Sequence, residues 1–254
     1  MIAIDTSEIT KLSSALQQDA KQATFALAVT LNRVTKPVIA DLQKEMEDSF
    51  DRPTRWTLNS LRQYGRATPS KLETTIDFRA NFGKGIQPEV YMRPNIEGGE
   101  RRLKRFERAL IAVGAMPDDH YAVPGEAARL DAFGNITAGQ IVQLLSYFRA
   151  FPEAGYKANM TDKGRARLAK GNKRTGARGF VYFAGRPVPG GPMGIWQRVQ
   201  FGFGSSVKPV LVFVRSTNYE RGRFDYAYAA EQSIDRNLNP TYDQAWAEAM
   251  ATAR

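Results

Sequence analysis

The sequence predicts an α+β fold, with a long, kinked N-terminal helix, a small, mainly antiparallel sheet, C-terminal helices and a central mixed insertion. Three observations carry this. Between Ser7 and Phe50, Leu12, Leu16, Ala23, Leu27, Leu31, Val34, Val38, Leu42 and Met46 recur at mostly helical spacing, with polar residues between them. From Gly179 to Val214, short β-branched and aromatic runs alternate with turns rich in glycine and proline. From Phe224 to Ala253 helical patterning returns in two stretches separated at Asn239-Pro240.

Bulk properties set the frame. A chain of 254 residues with 43% apolar and 24% charged residues can bury a core, and its composition is that of a globular protein. No apolar run reaches the roughly 18 residues of a membrane span. MIAIDTSEIT lacks the basic and apolar blocks of a secretory signal. The absence of cysteine excludes disulfides, thiolate metal ligands and cysteine nucleophiles. The 36 Lys and Arg exceed the 26 Asp and Glu, giving a net charge of +10 and a pI near 9.8. Such a surplus fits a polyanionic neighbour, and equally a surface spread with arginine for solubility.

In the first helix, Thr6 or Ser7 suits the cap and Glu8 the positive end of the dipole. Pro37 removes a backbone donor, so a kink or break is expected near Arg33 to Lys36. Some 40 helical residues span roughly 60 Å, a length that suits a contact between subunits. Asp51 to Thr54 then breaks the helix. Leu72–Phe78 and Glu89–Met92 read as strands around a Gly83–Gly85 turn, and Asn95–Gly99 as a loop. Arg101–Gly114 reads as a helix whose Arg and Lys face either touches phosphate or is simply solvated. Met116–Asn135 reads as a long irregular connection. Thr137 and Gln140 fit a capping box that opens a helix through Ile141, Leu144, Leu145 and Phe148.

Residues 157–178 read as the least structured part, a flexible basic loop ordered by a partner. Lys163, Arg165, Arg167, Lys170, Lys173, Arg174 and Arg178 lie there among glycines, with no acid after Asp162. They are the candidate contacts to DNA, through phosphates and counterion release rather than base reading. The strands that follow are Gly179–Phe183, Gly194–Val199 and the apolar Lys208–Val214.

No catalytic constellation emerges. His120 stands beside Asp118 and Asp119, but neighbours in a loop do not converge, and no second His or Cys completes a metal site. Gly171 to Gly176 lacks the G-x-x-x-x-G-K-[ST] of a phosphate-binding loop. Ser205 and Ser206 lack the G-x-S-x-G elbow. The alternating pairs Phe201/Phe203 and Tyr226/Tyr228 suit either base stacking or an ordinary core or interface. The expectation is a protein that is not an enzyme and holds no cofactor or metal.

Three pieces, taken in order, resemble a family. They are Ala28-Val29-Thr30-Leu31-Asn32-Arg33-Val34, then Gly194-Ile195-Trp196-Gln197-Arg198-Val199 leading into Pro209–Val214, then Phe224 with Ile234-Asp235-Arg236-Asn237-Leu238 and Pro240. Together they resemble the tail-completion proteins of long-tailed bacteriophages and prophages, the minor tail protein Z type, over about half the chain. The stretches Val123–Asp131 and Gly134–Ser146 resemble prophage tail proteins, and residues 98–192 depart from the short members of the family, as an insertion would. The resemblance implies a structural virion protein at the head-proximal end of the tail, assembled in the host cytoplasm. It implies a homo-hexameric ring meeting the tail terminator, tail tube and tape-measure protein, with DNA passing through and no membrane involved. Asn32, Arg33, Trp56, Trp196, Arg198 and Phe224 are then the candidate assembly contacts. The alternative is a soluble, basic DNA-binding accessory protein of packaging or recombination.

Overall fold

The computed structural model describes residues 7–80, 86–152, 158–172, 174–219 and 224–252. In chain order the elements are α1 (Ser7–Ser49), α2 (Arg55–Leu58), β1 (Leu61–Tyr64), β2 (Thr75–Phe78), α3 (Pro88–Glu97), β3 (Gly99–Glu100) and α4 (Arg105–Ala112), then β4 (Tyr121–Pro124), α5 (Ala138–Tyr147), α6 (Asp162–Lys170), β5 (Phe180–Gly185), β6 (Gly194–Phe201), β7 (Gly204–Val214), β8 (Asn218–Tyr219) and α7 (Tyr226–Ala251). They form two compact units, Met1–Gly98 with Arg221–Arg254, and Gly99–Glu220. The expected boundary at 192 falls inside the second unit, between β5 and β6. Those strands pair from Phe180↔Val199 to Gly185↔Gly194, so β6 and β7 belong with the inserted unit.

The first unit is organised on α1 and α7, which run antiparallel. Asp41 meets Ser233 and Arg236 at one level, and Arg33 meets Glu248 at another. Val34, Val38, Leu42 and Met46 are buried at four-residue spacing around the fully buried Phe224. Nearer the N-terminus the pattern departs from the expected leucine stripe. Leu27 is exposed, and the buried positions are Ala26, Ala28 and Thr30. Ala26 packs on Ala245 and Ala249, and small residues there let the two helices lie close.

Both prolines sit inside continuous helices, so neither the break before Pro37 nor the stop at Asn239-Pro240 occurs. An interior proline costs about 3 kcal/mol. Buried packing on both sides offsets that cost, with Val34 and Val38 about Pro37, and Ser233 and Ala245 about Pro240.

Three elements of this unit differ from expectation. The strand expected over Leu72–Phe78 is confined to Thr75–Phe78, and it pairs with the unanticipated β1. Glu89–Met92 is helical, within α3, because Pro88 at its first turn needs no N–H partner and has φ already set for a helix. Asn95 to Glu97 continue α3 to Gly98, whose φ of 81° ends it. Tyr226 donates to Ile76 O, and burial, with Asp77 nearby, pushes its phenol up to about 12. The expected Gly83–Gly85 turn lies outside the described residues.

Asn32 closes this unit internally. Its amide donates to Ala67 O at 2.8 Å and accepts from Ala67 N at 3.0 Å, while Gln63 also donates to it. Removing one member leaves buried polar groups unpaired. Asn32→Ala is expected to lower stability by about 1–3 kcal/mol, read as a shift of the urea midpoint with unchanged slope.

The second unit is a four-stranded antiparallel sheet in the order β4-β7-β6-β5. Leu110 of α4, and Leu144 and Leu145 of α5, pack with Tyr182, Ile195, Leu211 and Phe213. β4 arises within the stretch expected to be irregular, and α4 is shorter than the expected helix over Arg101–Gly114. The expected capping box does not form. Buried Gln140 instead accepts from Arg129 N and donates to Ala127 O, tying down the loop before α5.

Glu107 sits wholly buried among Arg101, Lys104 N and Ala122 N. It accepts from both Arg101 nitrogens at 2.8 and 2.6 Å, and from the two backbone groups at 2.5 and 2.8 Å.

Candidate nucleic-acid interface

Residues 162–170 fold as a helix rather than a flexible loop. Thr161 caps it by accepting from Gly164 N, and Asp162 lies in its first turn. The Arg, Ala, Leu and Lys that follow are good helix formers. The Thr161-Asp162 start was a readable signal that the density of charge and glycine outweighed.

Packing then divides the expected cations. Arg165 turns inward, donating to Tyr147 O with its guanidinium over the Tyr147 ring at 5.1 Å. It joins α6 to α5 and is withdrawn from the candidate contacts. Asp162 is bonded to Arg149 at 2.6 Å. Lys163, Arg167 and Lys170, at i, i+4 and i+7, are exposed along one face of α6. Lys173 lies outside the described residues.

After α6 the chain doubles back tightly. Asn172 pairs with Ala177 in an isolated antiparallel bridge. Gly171 has a φ of 73°, and a Cβ on Gly179 would come within 1.8 Å of Ala169 O, so only glycine allows this closure. Arg174 and Arg178 are exposed on the turn.

The turn delivers the chain to β5 beside the end of β6. Arg178 there lies over the Phe201 ring, 4.8 Å from its centroid. β5 pairs with β6 only as far as Val199, and β4 pairs with β7 only from Leu211. Residues 200–205, paired as Gln200↔Ser205 and Phe201↔Gly204, therefore form a short two-stranded tip with no third strand alongside among the described residues. Its connection is Gly202-Phe203, closed by the pair Phe201↔Gly204, with Gly204 at a φ of 142°. Phe203 is 108% exposed and Phe201 44%.

Charge follows the same path, since from Lys163 to Tyr219 there is no Asp or Glu. On β7, Lys208 is paired with Glu126.

Most expected assembly residues serve the interior of their own unit. Phe224 is fully buried, Trp196 is buried with its indole donating to Gly185 O, and Asn32 holds Ala67. Arg33 forms a two-pronged pair with Glu248 at 3.0 and 2.6 Å, which raises the guanidinium pKa and lowers that of the carboxyl. Trp56 is 40% exposed, and Arg198 is exposed over the Phe183 ring. These two remain surface groups. Of the aromatic pairs, Tyr226 packs on Phe78 and Phe224, whereas Phe203 projects.

His120 lies 2.6 Å from Asp119, with Arg215 on the other carboxylate oxygen at 3.9 Å. Among the described residues no three His, Cys, Asp or Glu gather as metal ligands, and no helix is long and apolar enough to cross a membrane.

Fold and site together define an α+β scaffold, a helix-paired unit with a cationic antiparallel β unit inserted in it. No protein-family model, curated protein or solved structure matches the chain.

Proposed function

We propose that the chain is a structural tail-completion protein of a long-tailed bacteriophage or prophage, acting by assembly and without turnover. Beyond the sequence resemblance, the observation that supports this reading is the mismatch between α1 and α7. At 43 residues, α1 is roughly 65 Å long, and the 26 residues of α7 cover only roughly 39 Å of it. With Ala26 beside Ala249, α7 ends near the level of Phe25, and about 25 Å of α1 backbone continues past it. A helix carried that far beyond its own packing partner suits a contact with another subunit in a ring at the head-proximal end of the tail.

Counting copies of the chain in purified particles by quantitative mass spectrometry, against the portal as internal standard, tests the proposal. About six copies are expected for a ring matching the sixfold symmetry of a tail. Absence from the particle overturns it.

The run without acids and the exposed face of α6 favour a second reading, a soluble DNA-binding accessory protein. Under it, replacing Lys163, Arg167 and Lys170 by Ala lowers the slope of log affinity against log salt by about 2–3, one step per lost phosphate contact. A slope that does not change removes α6 from the DNA contact.

A further inference from the structure

We propose that the tip of the β6–β7 ribbon is a stacking site for the unpaired bases of a nucleic-acid strand. Phe203 is the platform, and Arg178, Arg174 and the exposed face of α6 form the phosphate track leading to it. This goes beyond the tail reading and does not depend on it.

Turn chemistry does not account for Phe203. Two-residue connections in hairpins favour Asn, Asp and Gly, which take the required backbone and prefer water. Gly204 already supplies the special conformation here, at a φ of 142°. The core does not account for Phe203 either, because the ring is 108% exposed and stands on a tip with no third strand beside it among the described residues. Gly202 and Gly204 on either side carry no side chain to cover the ring, and a Cβ at either would meet nothing within 4 Å.

The occupant is chosen by charge. Arg178 already stacks on Phe201, two residues from Phe203, and Arg174 is exposed on the same turn. Lys163, Arg167 and Lys170 extend the positive surface along α6. Aromatic rings alternating with cations are what an unpaired strand requires, its bases stacking while its phosphates meet Arg and Lys. An apolar pocket on a protein would take the ring but has no use for the cations. A duplex would use the cations, but to reach the ring it must first unstack a base step, at a cost comparable with the stacking gained. An unpaired strand gains the stack without that cost.

The test is fluorescence anisotropy with a labelled, roughly 12-nucleotide oligothymidine and a duplex of the same length, using the full chain. Wild type, Phe203→Ala and Phe203→Trp are compared at low and moderate salt. Phe203→Ala is expected to weaken binding of the single strand about tenfold while changing duplex binding little. Phe203→Trp is expected to keep the affinity and to lose tryptophan emission as the strand is added. Unchanged melting by circular dichroism checks that the alanine variant is folded, as a fully exposed ring predicts. Equal affinity of wild type and Phe203→Ala overturns the proposal, as does failure of wild type to bind the strand. Duplex binding that is tighter and falls as much on Phe203→Ala overturns it in favour of a wedge between base pairs. The copy number in particles is measured independently, so the two readings fail separately.

Discussion

Glu107→Ala is expected to lower stability by about 3–5 kcal/mol, the largest effect of a single substitution in the inserted unit. The carboxylate is wholly buried and accepts four hydrogen bonds, two from Arg101 and one each from Lys104 N and Ala122 N. Truncation takes the buried carboxylate away from the Arg101 guanidinium, which is 14% exposed, and leaves two backbone donors without their acceptor. Replacing Glu107 by Leu and Arg101 by Met together should cost much less, because the buried guanidinium is removed along with its partner. Hydrogen exchange reads the outcome locally, and amides of β4, β6 and β7 should lose protection in Glu107→Ala before those of α1 and α7 do. A single substitution costing under about 1 kcal/mol would mean that water replaces the pair.

The same site makes stability depend on acid. Burial raises the Glu107 pKa, but the Arg101 guanidinium and the two backbone N–H groups outweigh it and hold the carboxyl below the usual carboxylate range. The unfolded chain has the ordinary value of about 4.3. The stabilisation is therefore complete above about pH 4.3 and is lost as pH falls through the lower folded value. Glu107→Gln should flatten that part of the acid-unfolding curve.

Phe224→Ala is expected to cost about 3–5 kcal/mol in the first unit. Its ring is fully buried against Phe50 at 5.7 Å and Tyr226 at 6.1 Å, inside the ring of Val34, Val38, Leu42 and Met46. The cavity would lie where α1, β1 and α3 converge through Leu42, Leu61 and Met92. Thermal unfolding measures the loss, and Phe224→Leu, which leaves a smaller void, should cost clearly less. If the alanine variant melts with the wild type, this cluster does not hold α7 to α1.

Of the candidate interface, the charge was legible and the geometry was not. Counting residues was enough to find the cations between Lys163 and Arg178, because charge is a property of composition. Which of them face solvent depends on where α6 packs. Arg165 and Lys163 are two positions apart and identical in charge, yet one caps Tyr147 O and the other meets water. In the sequence Phe203 stands out only as half of an alternating pair, since exposure at a turn tip is set by where the neighbouring strands stop pairing.

By itself the sequence determined the α+β class, the long helix α1, the strands β5, β6 and β7, the helix α5, and the cationic character of residues 163–178. Each rests on periodicity, propensity or charge acting over a few consecutive residues, which is information the chain carries locally. Only the tertiary structure decided that α1 and α7 pass through Pro37 and Pro240, and that Gln140 and Asn32 bond to backbone beyond their own helices. In each of these a local penalty or preference of a few kcal/mol was overruled by burial or by a hydrogen bond to residues far along the chain, and no short window of sequence contains both partners.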